Sequence, residues 1–341
     1  MSKKILSNLF NYAAREKAKS FTIESVPEKI ALNYKFDDGE ERCFGLPKKL
    51  EKNLSLALRQ ILKLAPDELT TKKYCKVEDK DFRLNFHLTI LPAQFGEKII
   101  INIIPKNHKL LGLKQLGLQK NHLTTIRSFL SLGSGLALLS SPHGNGKNTS
   151  LYTLLKELDS SSRSIYFIGD NPEYKLEGIN NLENNKNNWS KILTIDSEVI
   201  ATEINTNEDF KNVTLAASSG RLVIASITAN SVWEVMLAYL KLKLPLKQKL
   251  DCLKLIINQR IVPLKRSPKK PHSKTSKRKD IGLFEILEMT PGVKKFLLEA
   301  EDDKLKEKFW EKLGTLALKS GYEPLSYDRQ KKIKNGLISL K

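Results

Sequence analysis

Between the apolar run Leu136-Ala137-Leu138-Leu139 and a helix-like segment from Leu151 to Leu158 stands Ser140-Ser141-Pro142-His143-Gly144-Asn145-Gly146-Lys147-Asn148-Thr149-Ser150. A strand, a glycine-rich turn with a lysine and then a helix form the local context of a phosphate-binding loop. Successive backbone N–H groups and the following helix N-terminus converge there on one anion. Gly144 and Gly146 permit the close backbone wrap. Lys147 would reach the β- and γ-phosphates of a nucleotide, and the next hydroxyl normally ligates Mg²⁺. Two positions depart from the pattern G-x-x-x-x-G-K-[ST]: Ser141 replaces the first glycine and Asn148 the final hydroxyl. Asn148 keeps a carbonyl oxygen, which makes it a weak magnesium candidate. Thr149 is no simple replacement, because one step along a helix turns the side chain by about 100°. Ser141 is a mild change unless its φ must be positive. The candidate nucleotide-binding residues are Gly144, Asn145, Gly146, Lys147, Asn148 and Thr149. On the local pattern alone, a Gly/Asn-rich turn before a helix stays open as the plainer reading.

The surrounding elements alternate as a parallel sheet requires. Ser164 to Ile168 reads as a strand, as does Leu222 to Ile227. Trp233 to Leu242 and Leu246 to Leu255 read as helices, the first beginning after Asn230-Ser231 as cap. Asn180 to Asn188 reads as a loop, and the chain from Gly282 onward as mostly helical. Upstream, Phe21 to Ser25 and Lys29 to Phe36 alternate as strands, Leu50 to Leu64 carries helical apolar spacing, and Arg83 to Ile90 with Glu97 to Ile104 form a hairpin. The expected division is a small N-terminal α/β domain over 1–108, a linker and helix over 109–134, and a P-loop domain over 135–341 with a helical C-terminal part. The fold class is α/β.

With 341 residues there is room for two cores. No apolar run approaches the roughly 20 residues of a membrane-spanning helix, and the first residues are too short in apolar length for a signal peptide. Cys43, Cys75 and Cys252 are scattered without a CxxC pair, which predicts a reducing compartment, no disulfide framework and no zinc site. The net charge is +20, and Lys265 to Lys279 contributes much of the excess without one acidic residue. Pro268 and Pro271 with interspersed serines make this 265–279 segment a loop. A solvated insertion, contact with anionic lipid, and contact with an acidic partner or nucleic acid all remain open for it. No aromatic side chain interleaves the basic ones, so a base-stacking platform is missing.

Further motifs occur in a fixed order. Ile168-Gly169-Asp170-Asn171-Pro172-Glu173-Tyr174-Lys175-Leu176-Glu177-Gly178-Ile179-Asn180 resembles the acidic box of the type II secretion and type IV pilus assembly ATPases. Ala216 to Asn230 is similar to that family's histidine box, Gln259-Arg260-Ile261-Val262 to its A-Q-R-L-V, and Ile281 to Met289 to its G-I-F-E-V-L-E-V. Leu91-Pro92 followed by Gly96-Glu97-Lys98-Ile99-Ile100 matches its N-terminal signature. Each motif alone is weak. The collinear set spans nearly the whole chain.

The departures fall on chemistry. Gly169 replaces the first carboxylate of the acidic box, leaving Asp170 and Glu173. Arg221 and Thr228 replace both histidines, and Asn205 takes an arginine slot after Glu198 to Ile204. Trp189 to Thr194 lacks the family's paired arginines, and His87 and Asn102 occupy the N-terminal domain's arginine slots. Glu203 survives where the family places the glutamate that polarises the attacking water. The resemblance therefore implies Glu203, Asp170 and Glu173 as catalytic residues, ATP and Mg²⁺ as cofactors, and a RecA-like P-loop domain. It further implies a cytoplasmic hexamer, homomeric or mixed, peripheral to the inner membrane beneath a platform protein of a pilus or secretion system. Arginine fingers contribute on the order of 10³–10⁵ in rate, so their loss predicts a nucleotide-binding chain with impaired hydrolysis, a pseudoenzyme partner of an active relative. The alternative is an active assembly ATPase in which Lys147, Asp170 and Glu203 suffice and Arg221 supplies a cation. A nucleic-acid-binding protein using the basic loop is a distant third.

Overall fold

The computed structural model describes the chain except residues 1, 37–38, 81–82, 105–109, 159, 170–173, 175, 196, 266–279, 300–306 and 340–341. It divides into two compact units, 1–109 and 110–341.

The first unit is a helix-on-sheet layer. Its elements are α1 (Ser2–Arg15), β1 (Ser20–Ser25), β2 (Lys29–Lys35), β3 (Glu41–Pro47), α2 (Glu51–Leu62), β4 (Thr70–Glu78), β5 (Arg83–Ala93) and β6 (Gly96–Ile104). The six strands form one antiparallel sheet in the order β3-β2-β1-β6-β5-β4. Alternate residues of β1, Phe21 and Ile23 among them, are buried on one face, as a half-covered sheet demands. Leu6, Phe10 and Ala13 recur at helical spacing on α1 and cover that face with Leu54, Ala57 and Leu58 of α2. Phe10 lies edge-on to Phe21 at 5.5 Å between ring centroids and 5.3 Å from Phe86. Burying one such ring contributes roughly 2–3 kcal/mol.

The second unit sandwiches a sheet between helical layers. In chain order it contains α3 (Lys120–Leu130), β7 (Gly135–Ser141), α4 (Lys147–Lys156), β8 (Ile165–Ile168), β9 (Ile179–Leu182), α5 (Lys186–Ile192), β10 (Val199–Ile204), α6 (Asn207–Ser218), β11 (Leu222–Thr228), α7 (Val232–Leu240), α8 (Leu246–Cys252), β12 (Leu253–Pro263), β13 (Asp280–Glu288), α9 (Pro291–Glu299), α10 (Glu307–Lys319) and α11 (Leu325–Lys334). The seven strands run β13-β12-β7-β11-β10-β8-β9, all parallel except that β13 is antiparallel to β12. Every residue of β7 is buried, because helices cover both faces. Leu136 and Leu138 face the layer of α6 and α7, while Ala137 and Leu139 face α3 and α4.

Three stretches differ from the sequence reading. Leu253 to Leu255, expected as the end of a helix, open the strand Leu253–Pro263, and Asp280–Glu288 pairs with it as a strand instead of opening a helical region. The Asn-rich stretch is not a loop: it holds β9 and α5, the latter capped by the Asn185 side chain accepting from the Asn188 N–H at 2.8 Å.

The C-terminal helices are tied to β13 by buried charge. Asp328 accepts from Phe284 N at 2.8 Å, Gln119 Nε2 at 2.7 Å and Lys332 Nζ at 2.6 Å. Glu285 accepts from Tyr322 Oη at 2.7 Å, Asn258 Nδ2 at 3.0 Å, Val232 N at 3.1 Å and Leu325 N at 3.2 Å. No helix among the described residues is long and apolar enough to cross a membrane.

Candidate functional site

Parallel strands deliver their C-terminal ends to one edge of the sheet, where ligands of open α/β sheets bind. Here that edge collects the turn after β7, Glu203 near the end of β10, and Thr228 at the end of β11. Thr228 is in register with Ser141.

The turn has the backbone that an anion cradle needs. Gly144 lies at φ +74° and Gly146 at φ +72°, both in the left-handed region. At Gly146 a Cβ would also meet Ile261 Cδ1 at 2.7 Å, whereas at Gly144 nothing lies within 4 Å. Conformation favours glycine at both positions, and at Gly146 the tip of Ile261 would also have to move. Ser141 is absent from the positive-φ residues, so the missing first glycine introduces no strain. Its hydroxyl donates to the Pro142 carbonyl at 2.9 Å. Gly146 caps α4, and Lys147 is that helix's first residue. The free N–H groups of a helix N-terminus suit an anion.

Beside the loop the polar side chains engage one another. Asn148 Nδ2 donates to Glu203 Oε1 at 2.7 Å, and Lys147 Nζ donates to Glu203 Oε2 at 3.5 Å. Lys147 Nζ also lies 3.4 Å from Asn148 Oδ1. Thr149 is turned away: its hydroxyl is 3.4 Å from Tyr174 Oη, on the side where Tyr174 packs against Tyr152. The loop residues suit a nucleotide phosphate. They suit Mg²⁺ poorly, because the one oxygen Asn148 offers faces the Lys147 ammonium and its amide nitrogen holds Glu203. Among the described residues no cluster of three or more His, Cys, Asp or Glu forms a metal site.

The two former histidine positions separate completely. Thr228 lies at the carboxyl end of β11, while Arg221 precedes the strand at its opposite end, about 20 Å away for a seven-residue strand. The Arg221 guanidinium donates to Ser197 Oγ at 2.8 Å, Ser219 Oγ at 2.6 Å, and the Leu193 and Ile195 carbonyls at 3.0 Å each. It ties together chain segments at the edge of the sheet opposite the Gly144–Lys147 turn. Asn205 uses its N–H to bind Asp209 Oδ2 at 3.1 Å. In the first unit His87 and Asn102 are direct cross-strand partners on β5 and β6. Asp170 and Glu173 lie outside the described residues, as do 266–279 of the basic segment.

Sequence reasoning did not single out the floor of the loop. Gln259, on β12, donates its Nε2 to the Asn145 carbonyl, and Ile261 N donates to Asn145 Oδ1 at 3.0 Å. Ser140 Oγ donates to the Ile257 carbonyl and to Asn258 Oδ1, each at 3.1 Å. The only signal was the position of Gln259 within a motif whose role the residues themselves do not reveal.

A glycine-rich turn at the carboxyl edge of a helix-covered parallel sheet, with a lysine on the following helix and a carboxylate across from it, defines a RecA-like P-loop domain. The chain belongs to the type II/IV secretion system protein family, which it matches over residues 3–322. It is 25% identical over 241 residues to the type II secretion system protein E of Pectobacterium carotovorum subsp. carotovorum, covering 67% of this chain and 48% of that protein. It is 25% identical over 304 residues to the type IV pilus assembly ATPase PilB of Pseudomonas aeruginosa, covering 78% of this chain and 52% of PilB. The chain thus spans about half the length of these curated relatives. Among solved structures, the Legionella pneumophila ATPase DotB superposes with a TM-score of 0.71 at 17% identity, covering 100% of this chain and 94% of DotB. The pilus retraction motor PilT, solved with ADP bound, superposes with a TM-score of 0.65 at 17% identity over 97% of this chain and 94% of PilT.

Proposed function

We propose that this chain binds ATP at Gly144 to Thr149 with impaired hydrolysis, serving as a subunit or partner of a cytoplasmic motor for pilus assembly or protein secretion. The observation that carries the reading is the engagement of Glu203 by Asn148 and Lys147. A glutamate that polarises water needs a free carboxylate oxygen, and a Mg²⁺-ligating position needs an exposed oxygen rather than an amide N–H. Asn148 puts an amide N–H where the hydroxyl would stand and occupies Glu203 Oε1, while Lys147 Nζ lies at Oε2. Binding draws on different groups: the loop N–H groups, the α4 N-terminus and Lys147, which a phosphate would attract away from Glu203.

Stabilisation of the transferring phosphoryl group depends on cations placed around it. Within the second unit the arginine slot at Asn205 is uncharged, and Arg221 is committed at the other end of β11. That combination favours a ring position that senses nucleotide over one that consumes it. Assembly with related subunits into a hexamer beneath an inner-membrane platform protein belongs to the same proposal, as does Mg²⁺ as the nucleotide's companion. An active motor is the second reading. It draws on Lys147 and Glu203, which both keep their places at the phosphate edge. Equilibrium binding of ATP and steady-state turnover, measured on the same protein, separate the two: binding without turnover supports the first, and turnover abolished by Lys147→Ala supports the second.

A further inference from the structure

The floor beneath the phosphate loop is built from one strand, β12, and it grips one loop residue twice. The Gln259 amide donates to the Asn145 carbonyl, and the Ile261 N–H donates to the Asn145 side-chain oxygen at 3.0 Å. The Ile261 side chain also lies against the loop, its Cδ1 2.7 Å from where a Gly146 Cβ would stand. Gln259 is 2% exposed, and its Oε1 is buried without a partner. Reversing its amide would set oxygen against the Asn145 carbonyl, so the donor role is fixed by this contact alone.

We infer that Gln259 and Asn145 are positioning residues that hold the Gly146 N–H in its phosphate-binding orientation. This rests on the nucleotide-binding reading and says how the loop achieves it. The Asn145–Gly146 peptide is trans, as no cis bond occurs among the described residues. In a trans peptide the C=O and the following N–H point in opposite directions. Drawing the Asn145 carbonyl down to Gln259 therefore turns the Gly146 N–H away from β12, toward the open side of the loop. Pre-setting that dipole before the ligand arrives spares the reorganisation that would otherwise weaken binding. The ligand class this favours is a nucleotide with at least a β-phosphate, because that group rests on the loop backbone, whereas a monophosphate extends less far.

The test uses the full chain as wild type, Gln259→Met and Asn145→Ala, titrated with fluorescently labelled ADP and equally labelled AMP. Methionine keeps the volume of glutamine and removes the donor. Alanine at the half-buried Asn145 leaves the backbone carbonyl in place but removes the side-chain oxygen that accepts from the Ile261 N–H, releasing the second grip without opening the core, so a folded variant remains even if Gln259→Met fails to fold. Wild type is expected to prefer ADP. Each variant is expected to lose about tenfold in ADP affinity, the size of one charge-assisted contact, while AMP affinity changes little and the ADP/AMP ratio collapses. A folded variant that keeps the wild-type ratio overturns the positioning role. Wild type that binds neither nucleotide overturns the nucleotide reading itself, and the latch with it.

Discussion

Asn148 and Glu203 are joined by a 2.7 Å hydrogen bond from the asparagine amide to the carboxylate. In a working P-loop site the first of these positions offers a hydroxyl to Mg²⁺ and the second orients water. Here the pair is closed on itself. Asn148→Thr would return the hydroxyl and release Glu203. Turnover should rise by about tenfold or more, short of a fully equipped enzyme because the arginine slots stay empty, while ATP affinity changes little. Steady-state phosphate release at saturating ATP, beside a binding titration, checks both halves.

Arg221 belongs to the edge of the sheet opposite the Gly144–Lys147 turn. Arg221→Ala removes bonds to Ser197, Ser219, Leu193 and Ile195 together. The expected loss is about 2 kcal/mol of stability, a drop of several degrees in melting temperature for a unit of this size. Nucleotide affinity should be unchanged. A binding isotherm beside a thermal melt distinguishes this from a cationic role at the site.

Tyr322 donates to the buried Glu285 at 2.7 Å, and burial beside that carboxylate pushes the phenol's pKa well above its ordinary value. The bond fastens the segment between α10 and α11 to β13. Tyr322→Phe should cost about 2 kcal/mol, since a bond to a charged acceptor is lost inside the protein. Denaturant unfolding is the measurement, with the change expected in the midpoint and not in the slope.

His122, on α3, is 4% exposed and its Nδ1 is buried without a partner. Burial lowers its pKa below the ordinary 6.5, with Lys332 and Lys331 adding to the effect and Asp328 and Glu323 opposing it. The folded state thus favours the neutral ring, and the unfolded chain takes up a proton first. The stability this contributes is complete above about pH 6.5 and is lost as the pH falls through the lowered folded value. Melting temperatures should decline on acidification in wild type and decline less steeply in His122→Leu.

The glycine-rich turn between a strand and a helix was legible because glycine spacing, a lysine and an adjoining strand are local features. Glu203 was singled out by the resemblance and not by its local sequence. The partnership of Asn148 with Glu203 was not legible, since 55 residues separate them and only the parallel sheet brings them together. The start of β12 was read as a helix end because Leu255 to Gln259 are all buried, which erases the alternation that marks a strand. Arg221 and Thr228 were read as replacing the two histidines of one motif. The strand between them sets them at opposite ends, a consequence already contained in the expected strand Leu222 to Ile227. The Asn-rich stretch was taken for a loop on composition, yet asparagine is also a helix cap, the role Asn185 performs.

The most direct test of the central claim is Mg²⁺-dependent ATP turnover by the purified chain, with Lys147→Ala as reference and ATP binding measured on both. The account predicts that wild type binds ATP, that Lys147→Ala loses at least about tenfold in affinity, and that the two show equally low turnover. Wild-type turnover well above the Lys147→Ala level would contradict it, because Glu203 would then be free to act despite Asn148.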